Sequence, residues 1–185
     1  MMVEIRWHGR GGQGAWTASN IVAMAASYEG KYVQSFPAFG PERSGAPMLS
    51  FTRISDEPIE IHSMVYNPDI VIVLDYTLLS PGIVQGLKKN GVVISNYVGT
   101  PESFLEKLQI KKGDYRAIIT PASKLALEIL KVNITNTAMI GGLLKLGNIV
   151  SWSSVEKAIR ERFKGPVADK NLELIKRAYE SAVEV

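Results

Sequence analysis

The chain has 185 residues, of which 46% are apolar and 21% charged, a balance typical of a folded globular domain and not of a disordered segment. Its net charge is only +3 and its basic residues are scattered, which argues against a nucleic-acid-binding surface. The absence of cysteine excludes disulfides, a thiol nucleophile and an iron–sulfur cluster ligated by cysteines of this chain. We expect one domain over residues 1–185. We also expect a cytoplasmic location, because no apolar signal region or membrane-spanning run is present.

The first part of the chain predicts a strand, a glycine-rich loop and a helix. Residues 3–8 alternate in polarity and are rich in β-forming types, so they predict a strand. The glycine loop, residues 9–14 with the sequence GRGGQG, follows directly. Residues 15–28 place apolar side chains at helical spacing and end near Gly30. A second strand is predicted over residues 31–36.

The next part combines a long loop with three predicted strands. The second loop, residues 37–47, holds three prolines and two glycines and is too long for a simple connector. Strands over 48–54 and 59–62, around a turn at 55–58, predict a hairpin. The continuous apolar run at 70–74 is typical of a central parallel strand that is covered on both faces.

The second half alternates between predicted helices and buried strands. The strands are 91–95 and 116–120, and the helices are 78–90, 121–130 behind a Thr120 cap, 135–146, 153–163 behind a serine cap, and a last helix carrying Leu172, Ile175, Tyr179 and Ala182. This order predicts an α/β fold. We expect a three-layer sandwich around a mostly parallel sheet, with an antiparallel hairpin excursion and C-terminal helices.

The glycine loop matches the G-x-G-x-x-G spacing of dinucleotide-binding loops through Gly9, Gly11 and Gly14. A helix N-terminus behind such a loop is an anion site, and Arg10 could add a bidentate grip on phosphate or carboxylate. The alternative is that the glycines only let the helix pack closely on the sheet. The spacing alone leaves both interpretations open.

The dinucleotide interpretation lacks its most discriminating residue. Such folds usually end the second strand with an acid that holds the ribose hydroxyls, but residues 33–36 read VQSF. Glu29 is spaced about right by count, yet it precedes the strand. Gly12 and the Gln13 amide equally suit contact with a partner chain or a ligand, and Trp16 suits either an interface or the core.

Other polar residues follow the predicted strands or lie in the second loop. Ser35, Asp75, Asn96 and Thr120 come at strand ends, where ligands gather in open α/β sheets, although capping is the plainer role of the last three. The charged pair Glu42 and Arg43 could grip an anionic ligand or a partner chain, or could simply be solvated. His8 and His62 lack metal-ligand spacing, and no catalytic triad or carboxylate pair is visible. The chain therefore fits an assembly subunit better than a stand-alone catalyst.

Two long motifs carry a family resemblance. Residues 5–15 resemble the opening of the gamma subunits of 2-oxoacid:ferredoxin oxidoreductases, and residues 36–47 are similar to the second signature of that family. Further similar segments are residues 52–55, 58–59, 67–75 and 134–143, Asn171, and residues 179–180. Within the family, the amino-acid sequence of these segments is most similar to the pyruvate or branched-chain 2-oxoacid type. Ser44 departs from it, because a second arginine is common there, and any grip that arginine supplies would be weaker here.

The resemblance implies a role in a complex. The holoenzyme would decarboxylate pyruvate or a related 2-oxoacid on thiamine diphosphate with magnesium, pass electrons through iron–sulfur clusters to ferredoxin, and deliver the acyl group to coenzyme A. Alpha, beta and delta subunits would be the partners, and this chain alone would bind no cofactor. The resemblance places an interface near the coenzyme A and substrate entrance on these residues: Gly9, Arg10, Gly11, Gly12, Gln13, Gly14, Glu42 and Arg43. The alternatives are a stand-alone dinucleotide-binding oxidoreductase and a pure scaffold.

Overall fold

The computed structural model of the chain describes residues 1–38 and 43–185, and it is built around one seven-stranded sheet. The strands are β1 (Met2–Arg10), β2 (Tyr32–Pro37), β3 (Pro47–Ser55), β4 (Ile70–Val73), β5 (Val92–Asn96), β6 (Arg116–Thr120) and β7 (Val183–Glu184). Their order across the sheet is β2-β3-β1-β4-β5-β6-β7. Neighbours β1, β4, β5 and β6 pair in parallel, whereas β3 and β7 run against the other five strands.

Helices cover both faces of the sheet. They are α1 (Ala15–Tyr28), α2 (Pro101–Leu108), α3 (Ala122–Leu130), α4 (Asn136–Leu144), α5 (Trp152–Arg162) and α6 (Gly165–Ser181). Two short 3₁₀ turns, Tyr76–Leu78 and Pro81–Val84, follow β4. Within the described ranges, each helix is too short or too polar to cross a membrane.

The two faces of the sheet bury separate cores. Ile70 and Ile72 of β4 point to the larger core, which α1 and α3 to α6 cover, whereas Val71 and Val73 point to the smaller core beneath α2 and the 3₁₀ turns. Side chains that alternate between two apolar layers explain why β4 reads as a continuous apolar run. The predicted three-layer α/β sandwich, with its mostly parallel sheet and its antiparallel part, is confirmed.

The antiparallel hairpin is real, but the prediction paired the wrong strands. It consists of β2 and β3, and β3 also pairs with β1, so both of its edges are occupied. Residues 59–62 therefore cannot pair with β3 as predicted, and they form no strand. Side chains hold this part of the chain instead, because Gln34 Nε2 donates to the Ile61 carbonyl (2.9 Å) and Arg53 Nη2 to the Met64 carbonyl (3.3 Å).

The predicted helix over 78–90 is wrong. Only the two 3₁₀ turns form there, because Gly86 adopts a φ of +78° that an α-helix does not allow. A Cβ at this position would also lie 2.2 Å from the Tyr66 carbonyl oxygen. The short helix α2 was missed, although Thr100 caps it by accepting from the Ser103 N–H and Pro101 occupies its first turn.

Of the two predicted helix caps, the one at Thr120 is wrong and the serine cap of α5 is present. Thr120 is buried and donates to the Ala178 carbonyl at 3.0 Å, so it ties β6 to α6 and leaves α3 to begin after Pro121. The serine cap predicted for α5 is Ser151, which accepts from the Ser154 N–H. The other ends of these helices agree with the prediction to within a few residues.

Candidate functional site

The two signature loops lie side by side and are joined through their backbones. The Gly11 N–H donates to the Ala46 carbonyl at 2.8 Å, and the Gly45 N–H donates to the Gly11 carbonyl at 3.1 Å. This contact follows from the antiparallel pairing of β1 with β3, which sets Arg10 opposite Pro47. Motifs that are some 30 residues apart in the chain therefore form one site at the end of β1.

Three glycines of the loop are required for different reasons. A Cβ on Gly11 would lie 2.3 Å from the Arg43 carbonyl oxygen, so close approach of the second loop demands glycine. Gly14 precedes α1 with a φ of +79°, and a Cβ there would lie 2.5 Å from the Asn136 amide nitrogen. Gly12 has a φ of +90° and open space above it, so its exposed backbone is free to receive another molecule.

Arg10 holds the two loops together. Its guanidinium lies 3.2 Å from an Asp75 carboxylate oxygen and donates to Thr77 Oγ1 at 3.0 Å. The third donor, Nη1, reaches the Gly45 carbonyl at 3.1 Å. The side chain is about one-third exposed. The Arg10 guanidinium, which was predicted to bind phosphate or carboxylate, thus binds groups of this chain.

Gln13 and Asp75 complete this arrangement. Gln13 Oε1 accepts from the Arg10 N–H at 2.7 Å, and its Nε2 donates to Asp75 at 2.8 Å. Burial raises the pKa of Asp75. The hydrogen bonds from Thr77 and Gln13 and the Arg10 charge outweigh burial, however, and hold that pKa below its usual value. Asp75 also accepts from the Thr77 N–H, so the predicted capping role is confirmed.

The outer rim of the site is accessible. Gly12, Trp16 and Arg43 are exposed, and Trp16 shows 48% of its surface, which favours the interface interpretation over the core interpretation. No side chain of the described residues caps α1, so its first N–H groups face the rim. Gly9 is buried, and its packing against Ala15 serves the close helix–sheet contact.

The remaining predicted strand-end residues serve the fold. Ser35 shares a buried hydroxyl cluster with Ser19, whose Oγ lies 2.8 Å from the Ser35 Oγ. Asn96 donates to the Leu74 carbonyl (2.9 Å) and to Ser123 Oγ (2.8 Å), which links two strand ends to α3. Glu42 lies outside the described residues. Within the described ranges, no group of three His, Cys, Asp or Glu side chains could hold a metal ion.

The start of α4 belongs to the site, although sequence reasoning did not assign it a role. Thr135 Oγ1 donates to the Leu74 carbonyl at 3.1 Å, which fixes this helix start at the end of β4. The neighbouring Asn136 then lies against Gly14. In the sequence, this helix start is indicated only by the resemblance of residues 134–143 to the family.

His8 is a half-buried neutral group at the base of the loop. Its Nε2 accepts from Arg6 Nε at 2.9 Å, and both side chains point to the α2 face of the sheet. Burial, and to a smaller extent the charge of Arg6, lower the pKa of His8 to about 3. Arg6 is itself held by the carbonyls of Ile83 (3.0 Å) and Gln85 (2.8 Å).

Replacing Gly11 with alanine is expected to separate the two loops. The new methyl group cannot lie 2.3 Å from the Arg43 carbonyl, so the second loop must shift and lose its hydrogen bonds to Gly11. We expect tryptic cleavage after Arg43 to become about tenfold faster, as loss of about 1.4 kcal/mol of local stability implies. Gly82→Ala is the control, because Gly82 has no positive φ and a Cβ there would meet only the Ser80 hydroxyl at 3.7 Å, away from both loops. Equal cleavage rates in the two variants would contradict the joined-loop arrangement.

Comparison with known proteins agrees with this geometry. The family model described as pyruvate ferredoxin/flavodoxin oxidoreductase matches residues 4–181. The common subunit gamma of the pyruvate/ketoisovalerate oxidoreductases of Thermococcus litoralis is 50% identical over 98% of both chains. The pyruvate synthase subunit PorC of Methanocaldococcus jannaschii is 48% identical over 96% of both.

A solved structure extends the agreement to the fold. The crystal structure of the pyruvate oxidoreductase subunit PORC of Thermotoga maritima superposes with a TM-score of 0.89 at 42% identity, and the match covers 99% of this chain and 98% of that one. The resemblance read from the two signature loops is thereby confirmed. The chain belongs to the pyruvate ferredoxin/flavodoxin oxidoreductase family and corresponds over nearly its whole length to the gamma subunits of these enzymes.

Proposed function

We propose that this chain acts in the cytoplasm, as one domain over residues 1–185, within an oxidoreductase that decarboxylates pyruvate or a related 2-oxoacid. The enzyme would transfer the acyl group to coenzyme A, release CO2 and reduce ferredoxin. The observation that carries the proposal is the nearly full-length match to gamma subunits of pyruvate and ketoisovalerate oxidoreductases at up to 50% identity.

The assignment of cofactors to subunits follows from the metal-ligating side chains that this chain contains. It contains no cysteine, so it offers no thiolate to an iron–sulfur cluster. The described residues also hold no cluster of carboxylates and imidazoles for magnesium. We therefore assign thiamine diphosphate, magnesium and the clusters to the alpha, beta and delta partners. The gamma chain contributes structure and one wall of an interface.

The joined loops are our candidate for that wall, near the coenzyme A and substrate entrance. Three features support this assignment: the exposed Gly12 backbone, the exposed Arg43 and the uncapped N–H groups of α1. Arg10 and Gln13 act behind this surface and keep it rigid. A preorganised backbone with unpaired donors suits an anionic group or a partner carbonyl.

The sheet order counts against the alternative, a stand-alone dinucleotide-binding oxidoreductase. In dinucleotide-binding folds the second strand lies in parallel beside the first, where its terminal acid reaches the ribose. Here β3 separates β2 from β1, so the end of β2 lies one strand further from the glycine loop. Gln34 and Ser35 near that end are also engaged, with Ile61 and Ser19.

Purification from the native host tests the proposal. We would tag this chain, isolate it under anaerobic conditions, and determine mass, iron, sulfide and thiamine diphosphate. A heteromeric complex that contains all three components and acylates coenzyme A from pyruvate or a branched 2-oxoacid is the expected result. A homo-oligomer with bound nucleotide and no iron would overturn the proposal.

Replacing Gly12 with aspartate tests the role of the glycine loop. The new carboxylate would project into the open space above the loop and repel an anionic ligand by about 1–4 kcal/mol. We expect an increase of about tenfold or more in the KM for coenzyme A, or loss of partner subunits. Gly113→Asp is the matched control, because Gly113 has a similar φ of +95° and open space, far from the loop. Unchanged assembly and unchanged coenzyme A kinetics in Gly12→Asp would refute the role.

A further inference from the structure

A cleft of about 450 Å³ opens next to the glycine loop. It lies between the start of α1, the connection from α3 to α4, and the start of α6. Its walls include Val132, Ile134 and Val167, which expose 48%, 42% and 53% of their surfaces. Exposed apolar side chains that adjoin one another in a patch mark a contact surface more often than scattered ones do.

The charged side chains of the cleft share one sign. Arg162 and Lys170 line it, and within the described ranges neither forms an ion pair. The helices α1, α4 and α6 begin at the cleft, whereas α3 and α5 end there, so the partial charges of the helix ends largely offset one another and the two basic side chains set the charge of the cleft. None of the described lining residues is acidic. The electrostatic complement of this surface is a group of carboxylates.

Asn136 places a hydrogen-bond donor in the cleft. It is 6% exposed and lines the cleft beside Gly14. Its Oδ1 accepts from the Thr137 N–H, but its amide nitrogen has no hydrogen-bond partner in the part of the chain that the structure describes. Because this nitrogen reaches solvent in the cleft, it is a donor that an acceptor group of a partner could engage.

We infer that this cleft docks an acidic segment of a partner subunit, a stretch with apolar side chains between carboxylates. The inference rests on the proposed function, since it requires a heteromeric complex. Apolar side chains would cover Val132, Ile134 and Val167, and carboxylates would pair with Arg162 and Lys170. An apolar centre within a charged rim is the usual composition of a protein interface.

The decisive experiment compares variants of the tagged chain in its native complex. Val167→Asp, and Arg162→Glu combined with Lys170→Glu, are expected to reduce recovery of the partner subunits at least about tenfold, as loss of about 1.4 kcal/mol or more implies. Leu127→Asp and Lys124→Glu are matched controls, because both side chains are exposed on α3 outside the cleft. The controls are expected to retain the complex.

Further variants and measurements distinguish loss of docking from misfolding and from loss of a small-molecule site. Lys170→Arg keeps the charge and is expected to retain the complex, and melting temperatures equal to that of the unmodified chain exclude misfolding. Full recovery of partners with the cleft variants overturns the inference. Normal assembly with a raised KM for coenzyme A also overturns it, in favour of a small-molecule site. If the unmodified chain itself yields no heteromeric complex, the proposed function fails instead.

Discussion

Replacing Gly141 with alanine is expected to lower the free energy of unfolding by about 2–3 kcal/mol, although alanine is the better helix former. Gly141 lies in α4, where the backbones of α4 and α6 approach most closely. A Cβ there would lie 2.4 Å from the Ile175 carbonyl oxygen and 2.9 Å from both the Ala178 Cβ and the Tyr179 nitrogen. All three atoms belong to the body of α6, so no flexible side chain can yield.

The cost arises because α6 must move. Relieving a contact of 2.4 Å requires a displacement of about 1 Å, which loosens the packing of neighbouring apolar side chains on both helices. The gain of about 1 kcal/mol in helix propensity offsets only part of this loss. Gly142 adds a second constraint, since a Cβ there would lie 2.7 Å from Ile94 Cγ2 on the sheet. Helix α4 is therefore held closely on two sides.

Urea unfolding of the purified chain measures this effect. Gly82→Ala is the control, because Gly82 is exposed and a Cβ there would meet only the Ser80 hydroxyl at 3.7 Å. We expect the control to change stability by less than about 0.5 kcal/mol. A Gly141→Ala variant as stable as the unmodified chain would show that α4 and α6 are farther apart than described. The same displacement would widen the cleft, because both helices begin there.

Local patterns predicted the elements whose structure is decided locally. Helix α1 was predicted with the observed bounds, because its apolar spacing and the flanking glycines are both local signals. The buried strands β4, β5 and β6 were predicted because each is a short apolar run between turn residues. The segment 78–90 failed because its apolar spacing suggested a helix, whereas Gly82 and the positive φ of Gly86 interrupt one.

The features that could not be predicted from the sequence depend on contacts between residues that are distant in the chain. The hairpin was misplaced because residues 59–62 alternate as a strand does, but β1 and β2 already occupy both edges of β3. The two signature loops were each recognised, yet their hydrogen bonds through Gly11 depend on the β1–β3 pairing. The engagement of Arg10 with Asp75 likewise joins residues 65 positions apart. The candidate site was thus predicted as separate motifs, and its internal geometry was not.

The stability of the chain is expected to fall by about 2 kcal/mol between pH 7.5 and pH 5 because of His8 alone. In the folded chain the pKa of His8 is lowered to about 3 by burial and by the Arg6 charge, whereas the unfolded chain has the ordinary value of about 6.5. Between these two values the unfolded chain binds a proton that the folded chain excludes. The stabilisation is therefore complete above about pH 6.5 and decreases as the pH falls towards 3.

Replacing His8 with glutamine should remove this pH dependence, because the new side chain keeps an acceptor for Arg6 but cannot be protonated. The measurement is urea unfolding at pH 7.5 and pH 5, with His62→Gln as the matched control, since the His62 side chain is exposed. The unmodified chain and the control should each lose about 2 kcal/mol more than His8→Gln does. An equal loss in all three proteins would mean that His8 is accessible to water and protons.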